Sequence, residues 1–169
     1  MPQVPEGLDA RLLACLPRLR RYARALTGDS ARADDLVQDT VERGWSRIGQ
    51  WRPDGDMRAW LFGIMHNLHI DQLRRLPPPA VALDDGELPA APAPAVLEPG
   101  DLERALQQLS PAQREVLLLV ALEDMRYEDV AATLDIPLGT VMSRLSRARE
   151  NLRRLMAGQP PAAKLKVVK

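Results

Sequence analysis

The 169-residue chain balances 23 lysines and arginines against 23 acids, so its formal net charge at pH 7 is zero. Hydrophobic residues make up 46% of it and aromatic ones only 4%, which favours helices packed on helices over a sheet sandwich. No apolar run reaches membrane-spanning length, MPQVPEGLDARLL is no signal peptide, and the lone Cys15 excludes an internal disulfide, so a cytoplasmic protein is expected.

The neutral average hides a segregation along the chain. Residues 1–76 carry a small positive excess, whereas 77–101 hold Asp84, Asp85, Glu87, Glu98 and Asp101 with no Lys or Arg. Acids dominate from Leu102 to Ile136. From Pro137 to Met156 the order reverses, with Arg144, Arg147, Arg149, Arg153 and Arg154 against Glu150 alone. Segment 77–99, PPPAVALDDGELPAAPAPAVLEP, has no sustained apolar period and reads as an extended linker. The expected fold class is therefore all-α: two small helical domains over 8–76 and 101–157, a linker at 77–100, and a disordered tail at 158–169. Each domain sits near the lower size limit for folding alone.

In chain order, the first helix is marked by Leu12, Leu16, Leu19, Ala23 and Leu26 at 4-3-4-3 spacing, with Pro17 expected to kink or restart it. Gly28-Asp29-Ser30 ends it and offers a cap for the next. The second helix carries Ala33, Leu36, Val37, Val41, Trp45 and Ile48 on one face, until Pro53 and Gly55 break the pattern. The third starts after Asp56 and buries Trp60, Leu61, Ile64, Met65, Leu68 and Leu73, with Arg74 and Arg75 suiting its negative end. Patterns at 101–109 and 111–123 follow, the second opened by Ser110, Pro111 and Gln113 as a capping box. Last come 127–134 and 138–156, separated by the short break Asp135-Ile136-Pro137.

That closing pair has helix-turn-helix spacing. Val141, Leu145, Ala148, Leu152 and Leu155 account for one face of its second helix, leaving Thr140, Ser143, Arg144, Arg147 and Arg154 on the other. Hydroxyls and guanidiniums so placed suit a major groove, where Arg grips guanine edges or phosphates and Ser and Thr hold phosphates. An Arg-rich helix paired with the acids of 102–135 is the alternative on charge alone; the turn and the crossing favour DNA.

YEDVAATLDIPLGTVMSRLSRARENLRRLM resembles region 4 of the sigma-70 family, in its extracytoplasmic-function (ECF) subgroup, with G-T-V-x-S-R-x-x-R-A-R marking the recognition helix. ADDLVQDTVERGW resembles region 2.2 of that family, and MRAWLFGIMHNLHIDQLRR resembles regions 2.3 and 2.4. The resemblance covers most of the chain. It implies a non-enzymatic sigma factor without cofactor or metal. Such a factor binds core RNA polymerase, through the β′ coiled-coil and the β subunit, and directs it to promoter DNA. On the matching positions, the resemblance implies polymerase contacts from Asp35, Gln38, Asp39 and Glu42. It implies −10 contacts from Arg52, Arg58, Asn67, Asp71, Arg74 and Arg75, whose amides, carboxylates and cations can read an unstacked base and track its backbone. It implies −35 contacts from Thr140, Ser143, Arg144, Ser146, Arg147 and Arg149. Without a region 3 or an acidic region 1.1, it further implies control by an anti-sigma factor clamping regions 2 and 4.

Other readings carry less. Asp34, Asp35 and Asp39 resemble the Asp-rich motif of Mg²⁺-dependent prenyl-chain enzymes, but no second acidic cluster answers them. His66 and His69 lie i, i+3 and lack further ligands for zinc, so packing or surface roles are expected. A LuxR-like helix-turn-helix regulator, with 1–76 sensing signals or dimerising, is the alternative to a sigma factor. Met142 departs from the polar or basic residue that relatives often carry there, which shifts weight to Ser143 and Arg147. Replacing Arg147 by Ala should cost about 1–3 kcal/mol in −35 recognition; promoter-specific transcription unchanged by Arg147→Ala would place the recognition register elsewhere.

Overall fold

The computed structural model describes residues 6–77 and 98–159. Most of the linker expected at 77–100 and most of the tail expected at 158–169 lie outside the described residues. Seven α-helices follow in order: α1 (Leu8–Thr27), α2 (Ser30–Ser46), α3 (Met57–Arg75), α4 (Asp101–Gln108), α5 (Pro111–Ala121), α6 (Tyr127–Leu134) and α7 (Leu138–Met156). A 3-10 turn, Ile48–Gln50, follows α2. There is no strand among the described residues.

Local chemistry sets the helix ends. Gly28 closes α1 with φ +67, and its N–H bonds to Arg24 O. Asp29 then caps α2 by accepting from Arg32 N at 2.8 Å. Asp56 caps α3 by accepting from Arg58 N and Ala59 N. Ser110 caps α5 through Gln113 N, but the capping box is not reciprocal: Gln113 Oε1 instead accepts from Asn151 of α7 at 3.0 Å. Pro17 neither stops nor restarts α1, which runs unbroken from Leu8 to Thr27.

Helices α1, α2 and α3 pack together through Leu19, Ala23 and Leu26 of α1, Leu36 and Val37 of α2, and Leu61, Phe62 and Met65 of α3, all buried. Tyr22 meets Phe62 edge to face, centroids 4.8 Å apart. Gly44 belongs to this packing: a Cβ there would stand 2.8 Å from Leu61 Cδ2. Helices α4 to α7 form a second group around Val116, Leu119, Val130, Leu134, Val141, Leu145 and Ala148.

The two groups are packed on each other, α1 against α4 and α5 and α3 against α6, and their buried residues join in one hydrophobic cluster. Small helical units bury too little apolar surface separately, and docking raises that amount. Gly28 serves this docking as well as the α1 cap, because a Cβ there would collide with the Gln107 side chain of α4.

Leu145 is the inward anchor of α7 at 2% exposure. Truncation by Leu145→Ala should lower stability by about 2–5 kcal/mol, read as a shift in the guanidinium unfolding midpoint followed by circular dichroism.

Candidate nucleic-acid and polymerase interfaces

The α6–α7 unit turns through Asp135, in the left-handed region at φ +53, while Ile136 N bonds back to Ala131 O at 3.0 Å. Buried Val130, Leu134, Val141, Leu145 and Ala148 fix which face of α7 points inward. The opposite face leaves Met142, Ser143, Ser146, Arg147 and Arg149 exposed, with Thr140 and Arg144 half-buried. Ser143 Oγ donates to Thr140 O at 3.2 Å.

Charge divides along α7. In its last turns Arg153 and Arg154 close on Glu150 at 2.8 and 2.9 Å, and these hydrogen bonds hold the Glu150 carboxyl below its ordinary range. Arg144, Arg147 and Arg149 form no ion pair among the described residues. The acids of 102–135 therefore leave these three cations unmatched, and the exposed guanidiniums cluster on the helix turns nearest α6. An array of this kind attracts a polyanion.

On α2, Asp35, Gln38, Asp39 and Glu42 are all exposed, and Gln38 Nε2 donates to Glu42 Oε1 at 3.1 Å. Ala33, Leu36, Val37 and Thr40 turn inward behind them. Trp45, expected in the buried stripe, is 48% exposed. It lies one position past Gly44, and Gly44 is the residue that faces Leu61; the tight helix approach through a glycine rotates the indole outward.

On α3, Asn67, Asp71, Arg74 and Arg75 are exposed, as is Arg52 in the preceding loop. Arg58 differs. It is half-buried, and its Nη1 donates to Glu123 O, in the turn between α5 and α6, at 2.8 Å. Five of the six residues assigned to the −10 element share the solvent, and the sixth is held by the other half of the molecule.

Sequence reasoning missed the polar seam between the halves. Glu123 has no exposed surface and receives Arg21 at 3.0 Å and Arg18 at 3.8 Å, both from α1. His66 Nδ1 lies 2.7 Å from Glu115 Oε1. Gln107 Nε2 donates to Ala25 O at 3.0 Å. Arg114 donates to Leu26 O at 2.8 Å and to Leu106, Gln107 and Leu109 carbonyls at 2.7–3.0 Å. Burial pulls the Arg114 guanidinium down to about 10, which leaves it protonated at neutral pH. One signal was available: Glu115 and Glu123, at buried positions, and the half-buried Arg114 interrupt or end the apolar pattern of LSPAQREVLLLVALED.

Neither histidine belongs to a metal cluster, and no group of three or more potential ligands is brought together among the described residues. His66 is engaged by Glu115. His69 is buried, with no hydrogen-bond partner for either ring nitrogen among the described residues.

Residues 12–66 match the Sigma2 domain of PhyR, and residues 100–152 match sigma-70 region 4. The ECF RNA polymerase sigma factor EcfG of Rhodopseudomonas palustris is 38% identical over 155 residues, covering 89% of this chain and 86% of its own. Among solved structures, the sigma factor RpoE of Bartonella quintana, in complex with the anti-sigma factor NepR, is 33% identical with TM-score 0.74, covering 89% of this chain and 97% of that one. The PhyRSL–NepR complex from Sphingomonas sp. Fr1 gives 25% identity and TM-score 0.64, covering 96% and 94%. Fold and motifs define a sigma-type protein, with a region 2 helical unit and a region 4 helix-turn-helix. More narrowly, the chain belongs to the ECF RNA polymerase sigma factors, a class that serves promoter-specific transcription initiation. The LuxR-like alternative loses its ground, because the N-terminal half matches a sigma region 2.

Burial disfavours the charged form of His69 and pushes its imidazole down, against the nearby Glu115 carboxylate. The unfolded chain then takes up its proton first as pH falls through about 6.5. Stability contributed by the neutral ring is full above that pH and declines below it, with a slope of up to about 1.4 kcal/mol per pH unit. Urea unfolding between pH 7.5 and 5 should show the decline, and His69→Leu should flatten it.

Proposed function

We infer that the chain binds core RNA polymerase and directs it to promoters whose −35 element is read as duplex by α7 and whose −10 element is opened and held by α3 and the loop before it. The exposed Arg147 and Arg149 and the half-buried Arg144, none of them ion-paired among the described residues, beside Ser143 and Ser146, are the observation that carries this reading. A helix face that serves only packing or solubility has no need of three cations left without acids while neighbouring arginines are paired. Met142 at 53% exposure adds an apolar group that can pack on a thymine methyl.

Asn67 and Asp71 occupy one stripe of α3 at i, i+4, with Arg74 and Arg75 beyond them, a surface that offers base-edge donors and acceptors beside cations. This combination suits a displaced single strand with a base turned out of the stack. The acidic stripe Asp35, Gln38, Asp39 and Glu42 offers a docking face for a basic partner, which we assign to the β′ coiled-coil of the polymerase. The protein performs no chemistry itself and works in the cytoplasm. No helix among the described residues is long and apolar enough to cross a membrane.

The likeness to an RpoE solved with NepR supports control by an anti-sigma factor. A second reading has its own observation: the N-terminal half matches the Sigma2 domain of PhyR, named elsewhere an anti-anti-sigma factor. A protein of that kind would bind the anti-sigma factor and leave promoters alone. The arginine face of α7 favours the DNA-binding reading.

Run-off transcription with core polymerase separates the two. The chain should direct initiation from promoters that core alone ignores; binding to an anti-sigma factor without any transcript would support the PhyR-like reading. Asp39→Arg should weaken core binding by roughly tenfold or more, through like-charge contact at a docking surface, and should lower transcription from every promoter alike. Loss confined to some promoters would contradict the docking role.

A further inference from the structure

The loop that joins α2 to α3 is exposed from Arg52 to Asp56, yet the residue that opens it is a tryptophan with only 7% of its surface in contact with solvent. Trp51 closes the 3-10 turn, its N–H bonding to Ile48 O at 3.2 Å. The guanidinium of Arg11, from α1, stands over its indole with Cζ 5.7 Å from the ring centroid. A cation at that distance is attracted to the negative face of the ring. One turn further along α1, burial and the Asp56 carboxylate push the Cys15 thiol up, so the same side of α1 runs on to the cap of α3. Buried Ile48 and Trp51 before the loop and Met57 after it leave only the stretch between them in water.

This packing decides where Arg52 points. Trp51 has extended backbone, with φ −73 and ψ 136, and across an extended residue successive side chains take opposite sides. Pro53 keeps Arg52 extended as well, because a proline ring disfavours the helical region for the residue before it. An indole turned inward therefore turns the Arg52 guanidinium outward. The chain then folds back, and Gly55 N bonds to Arg52 O at 2.9 Å. A Cβ at Gly55 would stand 3.2 Å from Arg52 O and 3.6 Å from Trp51 Nε1, so the turn sits on the edge of the indole. Trp51 Nε1 has no hydrogen-bond partner among the described residues. Apolar burial and the Arg11 cation hold the ring, and a hydrogen bond does not.

We propose, on the −10 reading given above, that Trp51 under Arg11 is a positioning residue for the −10 strand: it seats the loop so that Arg52 meets the strand's phosphates in one fixed direction. A side chain held ready loses less conformational freedom when it binds, so the anchor adds affinity without touching DNA. It acts through Arg52, and its effect disappears where Arg52 is absent.

The test uses the full chain with core polymerase and a labelled single strand bearing the non-template −10 segment of a promoter from which the chain initiates. Trp51→Ala should weaken binding of this strand by roughly five- to tenfold. Arg11→Ala leaves the indole and its packing in place and should weaken binding by roughly two- to threefold. Trp51→Phe keeps an aromatic ring under Arg11 and should stay within about twofold of the native chain. In an Arg52→Ala background, Trp51→Ala should cost nothing further, and core affinity should be the same throughout. Equal losses with and without Arg52, or core affinity falling in step with strand binding, would overturn the positioning role. Hydrogen exchange on the free chain reads the anchor without DNA: the Gly55 amide should exchange faster in Trp51→Ala and Arg11→Ala than in the native chain or Trp51→Phe. Equal rates in all four would overturn the seating of the loop by Trp51. A native chain that binds core but not the strand would remove the −10 reading and the role built on it, with exchange still deciding whether Trp51 holds the loop.

Discussion

Arg114 and Glu123, two charged residues on one short stretch of chain, fix how the molecule is assembled. Each takes partners from outside its own helix group. Arg114 donates to Leu26 O across the seam as well as to three carbonyls around the α4–α5 turn. Glu123 draws Arg18 and Arg21 of α1. A guanidinium or carboxylate removed from water costs several kcal/mol unless it is matched, so these groups dictate register where apolar side chains would tolerate sliding. Gly28 follows from the same constraint, since the C-terminus of α1 must lie against Gln107.

Within this frame the candidate surfaces divide by exposure. The acidic stripe of α2 and the arginine face of α7 stay open, each backed by an apolar stripe that gives it a fixed orientation. The α3 surface is shared: Asn67, Asp71, Arg74 and Arg75 face solvent while Arg58 is drawn into the seam. A chain so arranged leaves the α2 stripe and the α7 face open to solvent but ties Arg58 to the α5–α6 turn.

Much of this was legible in the sequence because it is local. The patterns read at 101–109, 111–123, 127–134 and 138–156 fall within two residues of the helix bounds observed, and Asp29, Asp56 and Ser110 all act as N-caps. The composition of the α7 outer face was visible for the same reason, since its inner face is fixed by 4-3-4-3 spacing. The seam was not legible. Glu123 and Arg18 are over a hundred residues apart, and nothing in either local pattern says that they meet. Trp45 failed on a related point: periodicity treats Gly44 as neutral, whereas the close approach of Leu61 makes the glycine the contact and the indole the surface.

The account turns on two separated DNA elements being read by one chain of balanced charge, through surfaces that periodicity and packing leave exposed. Transcription by core polymerase over a randomised promoter library, with the initiating templates sequenced, tests this most directly. The account predicts two enriched blocks, one duplex-type block upstream and one at the melted segment, at a fixed separation. Enrichment of a single block, or of none above the level given by core alone, would contradict it.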